Sequence, residues 1–155
     1  MLITTKGRYA LRLMIYIARA DGEKVPLHQV ARDEGLSLKY LEQLAHSMVK
    51  AHLLRSIRGY AGGYVLARDA QSILAGDVLR ASQGSTAPVA CAGLSEGCPR
   101  EKTCSTVSFW SGLDQVIENY VDSVTLAELA REDVGTLPGT LPLPTRSSGV
   151  SSAQM

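Results

Sequence analysis

A chain of 155 residues, 45% hydrophobic and 20% charged, holds about one globular domain with a core of its own. It has no apolar run of the roughly 18 residues that a spanning helix needs, and Met1-Leu-Ile-Thr-Thr-Lys leads into an amphipathic pattern rather than a secretory leader, so a cytoplasmic protein with no membrane partner is expected. The formal net charge of +1 hides an asymmetry: residues 1–68 carry 11 Lys/Arg against 5 Asp/Glu, and residues 69–155 carry 5 against 10. A basic amino-terminal part is the electrostatic footprint of a nucleic-acid binder, although many ordinary solvated surfaces share it.

The first helix is expected from Thr5 to Ala20, where Tyr9, Ala10, Leu13, Met14, Ile17 and Ala18 recur at three- and four-residue steps. Asp21-Gly22 ends it. Pro26 opens a short second helix carrying Leu27, Val30 and Ala31, and Gly35 closes it where a left-handed residue is wanted. Ser37 is expected to cap a third helix, about Leu38 to Ala51, with Leu41, Leu44, Ala45 and Met48 on one side and Lys39, Glu42, Gln43, His46 and Lys50 on the other. Two helices joined by a short turn containing Gly, the second polar on its outer face, make a helix-turn-helix candidate; the plainer reading is a small helical hairpin. The next segment favours the former, because Leu53 to Leu66 reads as two short strands joined by a glycine-rich tip, a wing whose Arg58 can reach a minor groove. Those glycines are no phosphate cradle, since no Lys-Ser/Thr follows them and no G-x-G-x-x-G opens a helix. The fold class is therefore mainly α with a small β wing, a winged helix-turn-helix domain over residues 1–68.

A linking segment and a helix bearing Val78, Leu79 and Ala81 follow between Ala70 and Gln83, and Gly84 to Thr86 loosens the chain ahead of its three cysteines. Cys91, Cys98 and Cys104 stand as C-x6-C-x5-C, with Gly93, Gly97 and Pro99 keeping the backbone irregular, so three thiolates can converge on one centre. Soft thiolates select zinc, copper(I) or iron-sulfur clusters, and clusters usually want four protein ligands where this chain offers three. Three alternatives stand beside a cluster. The cysteines can be small buried hydrophobes; they can hold a structural zinc, though the tight C-x2-C pairs of such sites are absent; or two of them can form a reversible disulfide in a thiol switch. A long helix from about Ser105 to Asp122 spaces Trp110, Leu113, Ile117 and Tyr120 by three and four, while Phe109, Val116 and Val121 add a second apolar strip. Burial against a second copy is the economical use of so much apolar surface, and burial within one monomer is the alternative. Thr125-Leu-Ala-Glu128 has the form of a capping box and starts one more short helix, completing a second region, 69–133, of linker helix, cysteine loop and dimerisation helix. Pro, Gly, Ser and Thr make up 13 of the 22 residues from Val134 onward, and a disordered tail is expected over 134–155.

Jointly these motifs resemble the iron-sulfur-sensing winged-helix regulators typified by IscR, NsrR and RirA, over roughly residues 1 to 133. The carriers are Thr5-Lys-Gly-Arg-Tyr-Ala10, Leu36-Ser-Leu-Lys-Tyr-Leu-Glu-Gln-Leu44, Arg58-Gly-Tyr-Ala-Gly-Gly-Tyr64, Ser72-Ile73 with Gly76 and Val78, the three cysteines and Thr125-Leu-Ala-Glu-Leu129. The resemblance implies a homodimeric bacterial transcription factor, a repressor in this reading, whose binding to double-stranded operator DNA responds to iron-sulfur status, nitric oxide or oxidants. It implies that Glu42 and Gln43 touch base edges, that Arg58, with Gly59 and Tyr60 beside it, enters the minor groove, and that Arg8, Lys39 and Tyr40 contact phosphates. It makes Cys91, Cys98 and Cys104 the metal ligands and Trp110, Leu113, Ile117 and Tyr120 the dimer contacts. The chain departs from the family at the fourth ligand. Val107 stands where IscR-like members carry a histidine, and Arg8 stands where NsrR-like members take an acidic ligand from the partner. A three-cysteine site of the RirA type remains, favouring a four-iron over a two-iron cluster, with Ser105, Ser108, Glu96, Glu101 or a thiol from solution as possible fourth ligands. Two further readings are a regulator switched by its thiols without a cluster and an iron-sulfur interaction module that no longer binds DNA. No nucleophile-base pair or carboxylate dyad supports an enzyme or a small-molecule substrate.

Overall fold

The computed structural model describes residues 3–89 and 98–131; Cys91, Glu96 and the expected tail lie outside the described residues. Helix α1 spans Thr5–Arg19, α2 Leu27–Glu34 and α3 Leu38–Lys50. Strands β1, Leu54–Ile57, and β2, Gly63–Leu66, pair antiparallel with Leu54 opposite Leu66 and Ile57 opposite Gly63. A single 3-10 turn at Ala70–Ser72 leads to α4, Ala75–Gln83, and a second at Glu101–Thr103 leads to α5, Val107–Val121; α6, Leu126–Arg131, ends the described chain.

The periodicities that define the helices also build the core. Ala10, Leu13, Met14 and Ile17 of α1 meet Val30 of α2 and Leu41, Leu44, Ala45 and Met48 of α3, all nearly inaccessible, with Leu53, Leu54, Ile73, Val78 and Leu126 completing the cluster. Burying a large aliphatic side chain contributes about 1.5–3 kcal/mol, so α1 and α3, which supply four of these residues each, form the centre of the head. Polar ties reinforce it at the rim: Arg12 pairs with Glu34 at 2.5 Å, and the Tyr16 hydroxyl donates to Asp33, a bond that raises the tyrosine's pKa.

Element ends follow local chemistry. Gly35 closes α2 at φ 65°, the left-handed region expected of it. Ser37 occupies the N-cap of α3, but its hydroxyl makes no capping bond there; its carbonyl accepts the Tyr40 and Leu41 N–H groups at 3.1 and 3.0 Å. Ser37 thus stands at the expected cap position, without a side-chain bond. The first and third helices each stop one residue before the expected end, and the long helix starts at Val107 rather than Ser105. The wing gains a third member that the sequence did not announce, because Val25 and Tyr64 exchange both backbone bonds at 2.9 Å.

After α5 the chain returns to the head. Leu126 N–H donates to the Ile73 carbonyl at 2.8 Å and Ala75 N–H to the Val124 carbonyl at 2.9 Å, an isolated bridge that docks α6 beside the start of α4. The expected capping box is formed: Thr125 N–H donates to Glu128 at 2.8 Å, and Glu128 N–H to the Thr125 hydroxyl at 3.2 Å. The Thr125 N–H, with the Thr125 hydroxyl donating to the same carboxylate at 2.9 Å, holds the Glu128 carboxyl below its ordinary pKa.

Candidate nucleic-acid interface and cysteine segment

The outer face of α3 carries Lys39, Glu42, Gln43 and His46, all exposed, opposite the buried leucines and Met48. Among the described residues no hydrogen bond or ion pair engages the side chains of Lys39, Glu42, Gln43 or Arg58. Exposed donors and acceptors on a helix are free to meet base edges, where Gln matches adenine and Glu accepts from cytosine. Arg58 and Gly59 stand at the wing tip, Gly59 at φ 120°, and Tyr60 projects fully into solvent.

The start of α1 joins this face. The Arg8 guanidinium lies 5.7 Å from the Tyr9 ring centroid and that of Arg12 5.8 Å from it, while Tyr9 meets Tyr40 edge to face at 5.9 Å. Arg8 and Tyr40, expected to touch phosphates, are thus gathered by Tyr9, which sequence reasoning placed only in the core pattern. Arg12, also missed, both flanks that ring and pairs with Glu34 of α2. Neither residue departs from helical periodicity, so spacing carried no signal of the cluster.

Cys98 and Cys104, flanking the 3-10 turn at 101–103, are both free thiols and half-buried. Cys104 Sγ lies 3.4 Å from the Thr106 hydroxyl, and this contact, aided by backbone N–H groups and by Arg100, lowers the thiol's pKa. Among the described residues no group of three His, Cys, Asp or Glu side chains is gathered as a metal site, and Cys91 lies beyond them. The donor chemistry nonetheless fits a thiophilic centre, because the thiolate is the form that binds metal.

Beyond the cysteines, α5 leaves its apolar strips uncovered. Trp110, Leu113, Ile117 and Tyr120 are half-buried, Phe109 and Val116 are 65% and 58% exposed, and Val121 alone in α5 is buried. Burial of the helix wholly within the monomer, the alternative considered above, is not what is observed among the described residues. Phe109 and Trp110 pack edge to face at 4.9 Å. No described helix is long and apolar enough to cross a membrane.

Comparison with known proteins agrees with this geometry. The family model for Rrf2, described as an iron-dependent transcriptional regulator, matches residues 3–132. The HTH-type transcriptional regulator IscR of Yersinia pseudotuberculosis is 39% identical over 130 residues, 83% of this chain and 79% of that protein. Among solved structures, T. potens IscR superposes with a TM-score of 0.69 at 34% identity, covering 90% of this chain and 94% of its own. CymR, the global cysteine regulator of B. subtilis, superposes at 0.68 with 36% identity, covering 84% and 96%. A winged-helix head with an exposed polar helix, joined to relatives named as transcriptional regulators, places the chain in the Rrf2 family of DNA-binding transcriptional regulators.

Proposed function

We propose that the chain is a homodimeric repressor whose operator binding responds to an iron-sulfur cluster held by Cys91, Cys98 and Cys104. The observation that carries this reading is the pairing of two features in one small body: the exposed polar face of α3 with the Arg58 wing, and a cysteine segment in which the contact of Cys104 with the Thr106 hydroxyl lowers the thiol's pKa. Residues 1–68 form the reading head in this proposal and residues 69–133 the sensing and pairing part. Gln43 and Glu42 read base edges, Arg58 with Gly59 and Tyr60 follows the minor groove, and Arg8, Lys39 and Tyr40 hold register on phosphates. Trp110, Leu113, Ile117 and Tyr120 seat two copies together, so that two α3 helices meet half-sites about one helical turn apart. A bound cluster would supply a centre that iron limitation, nitric oxide or oxidants can destroy. Thiolates need a reducing compartment, which makes the cytoplasm the proposed location.

A second reading keeps the DNA and replaces the cluster with the thiols. It is favoured by the half-buried, free Cys98 and Cys104 and by the lowered Cys104 pKa. Here two thiols lose two protons and two electrons to a peroxide-class oxidant and form a disulfide. Anaerobic reconstitution with iron and sulfide separates the two. Visible absorbance that follows the protein, together with a change in operator affinity on cluster loss, supports the cluster. A colourless protein whose affinity tracks its free-thiol count supports the switch.

A further inference from the structure

Among the described residues, three carboxylates meet one guanidinium at the seam between α4 and α5. Arg80, with a third of its side chain exposed, donates from Nη1 to Glu118 Oε2 at 2.6 Å and from Nη2 to Asp122 Oδ1 at 2.5 Å. The Asp122 bond raises the guanidinium's pKa further above its ordinary value. Asp77, one turn earlier, comes within 3.8 Å of the same guanidinium. The line continues in both directions. Asp77 Oδ2 accepts from Arg68 at 3.3 Å, two residues beyond the wing, and from the Leu74 N–H at 3.2 Å. Glu118 accepts from the hydroxyl of Thr86, which is 3% exposed and is the buried polar residue of the described core, five residues ahead of Cys91.

The last turn of α4 grips α1. Gln83 Oε1 accepts from both the N–H and the hydroxyl of Thr4 at 3.1 Å, and Leu79 and Gln83 lie against Gly7, the neighbour of Arg8. A Cβ on Gly76 would sit 2.0 Å from Asp122 Oδ1 and 2.6 Å from Arg80 Nη2, so bare helix backbone there is what lets the α5 carboxylate close in.

We infer that Arg80 is a positioning residue that couples the cysteine segment and α5 to the wing and to the start of α1, an inference that rests on the sensing role proposed above. Exposed ion pairs contribute little stability, but Arg80 faces Asp77, Glu118 and Asp122 together, and the planar guanidinium holds two of them in a fixed fork. Without it three carboxylates confront one another across the seam, and α5 loses its fixed angle to the head. Coupling carried by such a network is demonstrated only when both sites are measured.

The test uses the full chain and the variants Arg80→Gln and Gly76→Ala, the second of which displaces the ion pair while leaving every charge in place. Two readouts are taken: the ratio of operator Kd between cluster-loaded and cluster-free protein, and hydrogen exchange of the cluster-free protein. Both variants are expected to retain cluster absorbance, and the Kd ratio is expected to fall from the ~5–150-fold span typical of coupled sites towards about one. Exchange is expected to rise at Arg68 and at Thr86 together, on either side of α4, and Arg80→Lys should restore part of both effects. A wild-type Kd ratio in Arg80→Gln, or faster exchange confined to α4, would overturn the inference. If one variant does not fold, the other decides on the same two readouts. Should wild-type protein show no cluster-dependent ratio, the sensing proposal fails, while the exchange pattern still decides whether Arg80 links the two ends of the seam.

Discussion

At the scale of single residues, the proposed reading divides recognition between Gln43 on a base edge and Arg8 on a phosphate, and their loss should look different. Gln43→Ala removes a bidentate match to a base and is expected to cost about 1–3 kcal/mol of discrimination at one operator position, read as relaxed preference across a panel of mutated sites. Arg8→Ala removes a phosphate contact, so affinity should fall alike for every sequence and the slope of log K against log salt should shrink by roughly one. The sequence exposed the first of these residues through its outward helical position. The Arg8-Tyr9-Tyr40 cluster was hidden, because a ring that lies on the core stripe and also receives two guanidiniums has the same spacing as any core tyrosine. Glu128 shows the reverse case, a contact read from four letters. Its carboxyl is held below its ordinary pKa chiefly by the Thr125 N–H, so the stabilisation is present above the unfolded-state value and is lost as pH falls through the folded one. Glu128→Gln should therefore lower Tm at neutral pH, and the difference from wild type should close as the solution is acidified below the usual carboxylate range.

At the scale of elements, α5 is the helix whose surroundings are incomplete in one copy of the chain. Leu113 and Ile117 share the strip proposed to pair two copies, and Leu113→Asp or Ile117→Asp should shift sedimentation from dimer to monomer. Neither should unfold the head, since Val121 is the α5 residue buried in the body. Operator affinity should fall with dimerisation, because one head reads one half-site. Helical periodicity revealed α1, α3 and α5 to within two residues at each end, the usual scatter of helix boundaries. It could not reveal the Val25 pairing with Tyr64 or the docking of Leu126 on Ile73, since these backbone bonds join segments far apart in sequence and involve no pattern of side-chain types. Ser37 marks a similar limit: its residue type suits a cap, yet its hydroxyl makes no capping bond and only its carbonyl is engaged, by the Tyr40 and Leu41 N–H groups.

At the scale of the whole molecule, charge and sulfur are segregated: a basic reading head precedes an acidic half that carries all three cysteines. That division was legible from composition alone. The seam between α4 and α5, inside that acidic half, was not, because Arg80 finds Glu118 and Asp122 at separations of 38 and 42 residues. The proposed response to a cluster needs both halves and the α4–α5 seam. Cys98→Ala removes one of three proposed ligands, a half-buried side chain outside the core cluster, so the fold and the proposed dimer should persist while the inorganic centre is lost. The most direct measurement is operator binding by anaerobically reconstituted wild-type and Cys98→Ala proteins, with visible absorbance recorded on the same samples. The expected result is cluster absorbance and a cluster-dependent Kd in wild type, with both absent from the variant. Equal absorbance in the two proteins, or a wild-type Kd indifferent to the presence of the cluster, would contradict it.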